Sequence, residues 1–198
     1  MGRFVVFEGL DGSGKSTQAG RLHGHLLGRG ERSLLTFEPT DGLIGSLARR
    51  ATAGEVFFED GTLALLFAAD RREHYAKKIA PALLGGGTVV CDRYYYSNLA
   101  YQGICDRSIE RIMQYNSDAM QAPPSVVFFL DVKPAECARR IAASRHGAGV
   151  YENLETLEAL HERYMKVFSM LGSRESVVFI DAAGKSEDEV FGEILAGL

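Results

Sequence analysis

Five short apolar runs without polar alternation divide the chain, and longer stretches with helical spacing lie between them. The runs cover residues 4–7, 34–37, 88–91, 126–130 and 177–180. Continuous apolar runs of four or five residues are typical of strands buried on both faces, as in a parallel sheet covered by helices. The pattern therefore predicts five buried strands.

Six stretches between these runs are compatible with helices. They cover residues 14–28, 44–53, 61–84, 97–120, 134–143 and 154–171. Because strands and helices alternate, we predict a doubly wound α/β fold in which a five-stranded parallel sheet carries helices on both faces. The segment 144–150 contains glycines and no periodicity, so we expect a short lid over about residues 140–152.

Composition and charge narrow the class of protein. The chain has 198 residues, of which 46% are hydrophobic and 24% charged, and this length predicts one globular domain over residues 1–198. No apolar run reaches the ~20 residues of a spanning helix, and the start lacks a signal-peptide pattern. Three cysteines without metal-ligand spacing favour reduced thiols and a cytoplasmic location. The formal charge of −4 argues against a nucleic-acid partner.

A phosphate-binding loop follows the first predicted strand. The pattern G-x-x-x-x-G-K-[ST] is matched by Gly9, Gly14, Lys15 and Ser16. Its glycines allow backbone N–H groups to point at phosphate, and the following helix adds its positive N-terminal end. We expect Lys15 to reach the β- and γ-phosphates and Ser16 to ligate Mg²⁺. The loop residues predicted to bind ATP are Gly9, Leu10, Asp11, Gly12, Ser13, Gly14, Lys15, Ser16 and Thr17. A Gly-rich turn without ligand is the alternative.

The rest of the chain favours a small-molecule kinase over other proteins with this loop. It contains neither the Asn-Lys-x-Asp motif of GTPases nor the Leu-Ser-Gly-Gly signature of transporter ATPases. A kinase needs a second pocket for its acceptor, cations around the transferred phosphoryl group and a lid that excludes water.

An aromatic ring and a guanidinium group share one face of the third predicted helix. Phe67 and Arg71 are four residues apart, and together they suit a flat base with a carbonyl edge. Periodicity taken alone favours the other interpretation, in which Phe67 lies in the core and Arg71 is a solvated charge.

A run of polar residues follows the third predicted strand. Asp92 and Arg93 stand at its carboxyl end, where ligands bind in open α/β sheets. We expect Asp92 to hold Mg²⁺ through water and Arg93 to bridge the donor and acceptor phosphates, with an internal ion pair as the alternative. Asn98, Tyr101 and Gln102 share a helical face and are polar where a core stripe would be apolar, which favours a pocket wall.

Together these motifs resemble the thymidylate kinase family of P-loop nucleoside monophosphate kinases over nearly the whole chain. The specific motifs are Leu-Phe-Ala-Ala-Asp-Arg at 66–71, Asp-Arg-Tyr at 92–94 and Ser-Asn-Leu-Ala-Tyr-Gln-Gly at 97–103. The Glu-Pro-Thr-Asp-Gly turn at 38–42 is most similar to archaeal members. The resemblance implies phosphorylation of dTMP to dTDP with ATP and Mg²⁺ in a homodimer. The alternatives are a kinase for another nucleoside monophosphate and a P-loop switch without phosphoryl transfer.

The resemblance also implies roles for individual residues on the acceptor side. Phe67 would stack on thymine, Arg71 would bond its O4, and Asn98 and Gln102 would face the base. Tyr101 would lie near the sugar and disfavour a 2′-hydroxyl. The remaining substrate-binding positions implied in this way are Glu38, Pro39, Arg49, Arg93 and Tyr151.

The resemblance further implies that Asp11 lies near the sugar 3′-hydroxyl and the metal. Asp181 and Ala182 match the loop that packs on adenine, and Tyr151 with Glu152 resembles the aromatic-acid pair that ends the lid. The predicted metal site therefore comprises Ser16, Asp92 and Asp11.

Two departures from the family pattern bear on catalysis. Phe37 stands where bacterial members often have arginine, so phosphate binding would depend more on Arg49 or Arg50. Gly12 stands where some members carry a catalytic arginine, so the transition-state cation is expected from the lid. We predict Arg145 for this role, followed by Arg140, which would also contact ATP. The predicted catalytic residues are Lys15, Arg93, Asp11 and Arg145.

Overall fold

A sheet of five parallel strands runs through the protein. The computed structural model describes residues 2–120, 122–143 and 153–198. The strands are β1 (Phe4–Glu8), β2 (Ser33–Phe37), β3 (Thr88–Asp92), β4 (Val126–Asp131) and β5 (Val177–Asp181), and they lie side by side in the order β2-β3-β1-β4-β5. Each predicted strand is confirmed to within one residue at either end.

Ten α-helices occur in the described part of the chain. They are α1 (Lys15–Gly28), α2 (Leu43–Thr52), α3 (Asp60–His74), α4 (Ala80–Leu84), α5 (Tyr95–Gln102), α6 (Asp106–Tyr115), α7 (Ser117–Met120), α8 (Pro134–Ala143), α9 (Leu154–Leu171) and α10 (Glu187–Ala196). A π-helical turn, Tyr75–Ile79, joins α3 to α4, and a 3₁₀ turn, Gly172–Arg174, follows α9.

Two helix predictions need correction. The helix predicted over 97–120 is wrong, because the chain forms three shorter helices there. A Cβ atom on Gly103 would lie 2.1 Å from the carbonyl oxygen of Leu99, and Cys105 has the extended backbone of an N-cap before α6. Asn116 then ends α6. The second correction is α10, which was not predicted.

The strand order explains why the central strands are apolar throughout. β1 connects to β2 in one direction across the sheet, whereas β3 connects to β4 in the other. Right-handed crossovers in opposite directions place their helices on opposite faces, so the central strands are covered on both sides. Val5, Val6 and Phe7 are accordingly fully buried. The doubly wound five-stranded prediction is confirmed.

The same order creates a crevice for a ligand. β1 and β3 are neighbours, with Phe7 paired to Asp92, and their onward connections leave on opposite faces. A crevice at such a switch point, at the carboxyl ends of the strands, is where open α/β sheets bind ligands. The segments after β1 and β3 carry the phosphate-binding loop and Arg93.

Among the helices described, none combines the length and the apolar character needed to cross a membrane.

Candidate active site

The loop between β1 and α1 has the backbone that a phosphate cradle requires. Gly9, Gly12 and Gly14 have φ values of 144°, 79° and 96°, a region that favours glycine. A Cβ atom on Gly9 would lie 2.8 Å from the carbonyl oxygen of Leu130. The sequence between the strand and the helix thus forms a tight loop that packs against β4.

A cavity of about 590 Å³ opens above this loop, and it has two walls. One wall is the loop and the start of α1, comprising Asp11, Gly12, Ser13, Gly14, Lys15, Ser16, Thr17 and Gln18. The other wall comes from α8 and from the segment after β5, comprising Arg140, Ala182, Lys185, Ser186, Glu187 and Val190. Its volume and polar floor suit a nucleotide.

Sequence reasoning identified only part of the second wall. Arg140 and Ala182 line the cavity, whereas the Asp181 side chain accepts a hydrogen bond from the backbone of Ala183 at 3.0 Å. The residues Lys185, Ser186, Glu187 and Val190 were missed because α10 was missed. A signal was present, since Ser186 and Glu189 form a capping box that marks a helix start.

Lys15, Asp11 and Arg93 form a compact charged cluster at the mouth of the crevice. Lys15 Nζ lies 3.9 Å from an Asp11 carboxylate oxygen and donates a hydrogen bond to the Leu10 carbonyl at 2.7 Å. Arg93 forms an ion pair with the same carboxylate, and the Tyr101 hydroxyl donates to it at 2.9 Å. Arg93 does form an internal ion pair, as the alternative interpretation expected, but its partner is Asp11 and not Asp92.

The two cations of this cluster keep the Asp11 carboxyl ionised. Burial raises the pKa of the Asp11 carboxyl, but the Arg93 guanidinium and the Lys15 ammonium outweigh this and hold that pKa below its ordinary value. Burial and the nearby Arg93 lower the pKa of Lys15. Asp11 therefore serves as the counter-ion that allows two cations to lie close together before any phosphate binds.

Ser16 and Asp92 provide oxygen atoms where a magnesium ion is expected. The Ser16 hydroxyl donates to Asp92 Oδ2, while Asp92 Oδ1 is buried and has no hydrogen-bond partner among the described residues. A buried carboxylate oxygen without a partner is costly unless a ligand satisfies it. Hydroxyl and carboxylate oxygens are ligands that Mg²⁺ accepts. The pair fits the ion.

The Arg93 turn is held from below by Glu8, a residue that sequence reasoning did not single out. Arg93 has a φ of 70°, unusual for a residue with a side chain. The fully buried Glu8 carboxylate accepts from the backbone N–H of Tyr94 at 2.8 Å and of Ser97 at 3.2 Å. Its other oxygen accepts from the Ser97 and Tyr164 hydroxyls at 2.7 and 2.9 Å. Glu8 thereby clamps the turn that carries Arg93.

A second buried network surrounds Arg71. Only 2% of this residue is exposed, so the solvated-charge interpretation is wrong. Arg71 Nε donates to Glu38 at 2.7 Å, and Nη1 donates to Asn116. The other Glu38 oxygen is 2.9 Å from His74 Nδ1. Glu38, predicted to bind substrate, therefore acts first as the counter-ion of Arg71.

The polar face predicted from Asn98, Tyr101 and Gln102 lies on α5, and Asn98 and Gln102 are buried against this network. Asn98 and Gln102 are hydrogen bonded to each other at 3.0 Å, and Asn98 lies 3.4 Å from Arg71 Nη1. Phe67 is half-buried on α3, one turn before Arg71. α3 and α5 thus bring Arg71, Asn98 and Gln102 together, and Phe67 lies on the same helix as Arg71.

Arg49 lies at a separate cavity of about 310 Å³, which it lines together with Pro39, Ser16, Asp92 and Arg93. It donates to the Pro39 carbonyl at 2.7 Å. Arg50 instead pairs with the exposed Glu55 at 2.9 Å. Of the two arginines considered for the acceptor phosphate, Arg49 is therefore the one near Arg93.

The family model described as "Thymidylate kinase" matches residues 7–194. This chain belongs to that family. It is 38% identical over 100% of its length to the "Probable thymidylate kinase" of Methanococcus aeolicus, covering 96% of that protein. It is 40% identical over 98% of its length to the protein of the same name from Pyrococcus abyssi, covering 95% of it. The "Thymidylate kinase" of Desulfotalea psychrophila is 39% identical over 79% of this chain and 77% of that one. The predicted family is confirmed.

This thymidylate kinase family member has no room for a side chain at Gly12. A Cβ atom there would lie 2.8 Å from the Cys137 carbonyl oxygen and 3.2 Å from Ile141, because α8 packs directly on the loop. The same packing brings Arg140 over the loop, where its Nη1 is 3.4 Å from the Gly12 carbonyl oxygen. The glycine at position 12 thus allows α8 to pack against the loop, and α8 carries an arginine of its own, Arg140.

Three residues of the predicted thymidylate kinase lid, Arg145, Tyr151 and Glu152, lie outside the described residues, as does most of that lid.

Proposed function

We propose that this member of the thymidylate kinase family transfers the γ-phosphoryl group of ATP to dTMP, giving ADP and dTDP. Family membership supports the reaction and both nucleotides. The main structural support is the Asp11–Arg93 ion pair. It joins the phosphate-binding loop after β1 to the segment after β3, which leads into α5, where acceptor-binding residues are predicted. In this arrangement two phosphate-binding regions meet at one crevice.

ATP occupies the larger cavity in this proposal. The backbone N–H groups of the loop and the N-terminus of α1 bind its phosphates, and Lys15 leaves the Leu10 carbonyl to reach the β- and γ-phosphates. Ala182 and the start of α10 lie on the side left for adenine. Arg140, which lines this cavity above the loop, joins Lys15 in neutralising charge on the transferred group. Arg145 stays a prediction.

Ser16 and Asp92 would hold the magnesium ion, with Asp11 near it. The bound ion would neutralise charge on the ATP phosphates during transfer. The unpartnered Asp92 oxygen supports this assignment.

The acceptor dTMP lies between α3 and α5. Its phosphate contacts Arg93 and Arg49, its base stacks on Phe67 and faces Arg71, and its sugar lies beside Tyr101. One dTMP phosphate oxygen attacks the γ-phosphorus, and the bond between that phosphorus and the β–γ bridging oxygen breaks, so that ADP leaves. The residues position the two anions and neutralise charge, which is what phosphoryl transfer requires.

The lid, the single-domain organisation, the cytoplasmic location and the homodimer remain predictions. Leu43, the first residue of α2, and Phe57, between α2 and α3, are 94% and 95% exposed, and a homodimer that covered them would bury apolar surface.

Measuring ADP release from ATP and Mg²⁺ tests the activity directly. The acceptors are dTMP, dUMP, dCMP, dGMP and AMP, with one reaction that contains no acceptor. We expect strong stimulation by dTMP, weaker stimulation by dUMP and none by the others. Lys15→Ala in parallel excludes a contaminating kinase. If none of the acceptors stimulates ADP release, the proposal is refuted. If only a nucleotide other than dTMP or dUMP does so, the base pocket must be reassigned.

A further inference from the structure

Asn116 lies at the centre of the buried polar network between α3 and α5, although no sequence motif includes it. It follows α6 directly and is 2% exposed. Its Oδ1 accepts a hydrogen bond from Arg71 Nη1. Its Nδ2 donates to Asn98 Oδ1 at 3.0 Å and to the Ile112 carbonyl at 2.8 Å. A single side chain thus contacts two of the residues assigned to the base.

Asn116, Asn98 and Gln102 form a row of hydrogen-bonded side-chain amides that begins at Arg71. The chemistry of Arg71 determines how each amide in this row is oriented. A guanidinium group carries only donors, so Asn116 must turn its oxygen toward Arg71 and its NH₂ group toward Asn98. Asn98 must then present its own oxygen to Asn116 and its NH₂ group to Gln102. Gln102 accepts that hydrogen bond with its carbonyl oxygen at 3.0 Å.

The row ends in N–H groups on both sides. Glu38 accepts from Arg71 Nε at 2.7 Å, and Asn116 and Asn98 accept from Nη1, which leaves Nη2 without a hydrogen-bond partner among the described residues. At the other end, Gln102 Nε2 is buried and also without a partner in the described part of the chain. The groups left over are therefore donors, and their natural partner is a carbonyl oxygen.

We propose that Asn116 is a positioning residue for base selection. It holds Arg71 and Asn98 so that the pocket offers N–H groups to the 4-carbonyl oxygen of thymine or uracil, and opposes the 4-amino group of cytosine. This inference rests on the proposed function, because it requires Arg71 to face the base. A site built around a specific hydrogen bond can reject an analogue by about 10⁴-fold, provided its polar groups cannot turn away. Asn116 supplies that condition.

The test compares Asn116→Ala and Asn116→Asp with the wild type, using dTMP, dUMP and dCMP as acceptors. In Asn116→Ala, Arg71 keeps Glu38 but loses the nearer acceptor of Nη1, which then has only Asn98 Oδ1 at 3.4 Å, and Arg71 gains freedom to turn. We expect kcat/KM for dTMP relative to dCMP to fall by at least about tenfold, corresponding to one lost hydrogen bond to a charged group. The KM for ATP should not change, because Asn116 does not line the ATP cavity. The ratio of kcat/KM for dTMP to that for dUMP should not change either, because thymine and uracil carry the same 4-carbonyl.

Asn116→Asp keeps the acceptor for Arg71 but removes the NH₂ group that donates to Asn98. It should therefore recover the part of the selectivity that depends on Arg71, and lie between Asn116→Ala and the wild type. Asn153→Ala is the matched control, since it removes the N-cap of α9, where Asn153 accepts from the Thr156 N–H at 2.9 Å. That variant loses stability without touching Arg71, and its dTMP to dCMP ratio should equal that of the wild type.

Three outcomes overturn the inference. They are an unchanged dTMP to dCMP ratio in Asn116→Ala, an Asn116→Asp variant as unselective as Asn116→Ala, and an equal loss of selectivity in Asn153→Ala. A wild-type protein that fails to phosphorylate dTMP would instead refute the proposed function, so the two failures are distinguishable.

Discussion

Replacing Glu8 by alanine should destabilise the protein strongly, although Glu8 touches no predicted substrate. One Glu8 oxygen accepts from the backbone N–H groups of Tyr94 and Ser97, and the other accepts from two hydroxyls, those of Ser97 and Tyr164. The hydroxyls can pair with each other, since they are 2.9 Å apart. The two N–H groups have no such substitute, and each costs about 1–3 kcal/mol when it is buried and unpaired.

The expected loss in the free energy of unfolding for Glu8→Ala is therefore about 2–6 kcal/mol. At the midpoint of that range the melting temperature falls by about 8–16 °C, since about 2–4 °C accompany each kcal/mol in a domain of this size. The measurement is thermal and urea unfolding, with kcat recorded on the same preparations. We expect kcat to fall as well, because the Arg93 turn loses its clamp.

Glu8→Gln is the matched variant for this prediction. Its amide oxygen can accept from both N–H groups, while its NH₂ group donates to the Ser97 and Tyr164 hydroxyls, which also act as acceptors. We expect it to lose less than half as much stability as Glu8→Ala. A loss below about 1 kcal/mol in Glu8→Ala would refute the clamp, because it is less than the cost of one unpaired N–H group. Equal losses in both variants would show that the charge matters and the hydrogen bonds do not.

Three further predictions concern the charged groups around the phosphate-binding loop. Lys15→Ala should lower kcat at least ~100-fold with the fold intact, as loss of a transition-state donor does, and near-normal turnover would contradict the assignment. Arg140→Ala should lower kcat more than it raises the KM for ATP if Arg140 acts on the transferred group, and a change in KM alone would restrict it to ATP binding. The pKa of Asp11 is lower in the folded protein than in the unfolded chain, so Asp11 stabilises the fold above pH 3.8 and this contribution disappears as the pH falls below that value. Asp11→Asn should therefore flatten the acid side of a plot of stability against pH, and an unchanged slope would contradict the Arg93 pairing.

The sheet was predictable because its strands are buried on both faces. Runs such as Val5 to Phe7 and Val126 to Leu130 have no polar alternation, which is typical of a sheet covered by helices on both faces. Helix ends were less predictable, because they depend on single backbone positions. Gly103 approaches the Leu99 carbonyl too closely for any side chain, which is a tertiary fact that no periodicity records.

The candidate site divides in the same way. The residues of the loop were predictable because a phosphate cradle requires glycines at fixed spacing. Glu8, Asn116 and Gln18 were not, because each acts through partners that are distant in the chain. Glu8 meets Tyr164 across 156 positions, and Gln18 donates to the Glu187 carbonyl across 169. Their functions follow only from the fold that joins these segments.

The charges of the site explain how an acidic protein maintains a site for two anions. Arg93 and Lys15 share Asp11, Arg140 pairs with Glu136, and Arg49 pairs with Asp41.

Each of these four cations therefore already has a carboxylate partner, and the two most buried, Lys15 and Arg93, are not left as uncompensated charges. A phosphate that enters exchanges one anionic partner for another, and the cations need little reorganisation to receive it. Because the carboxylates leave little net positive charge at the crevice, two polyanions bound together need a further cation. That requirement is an independent physical reason to expect the magnesium ion at Ser16 and Asp92.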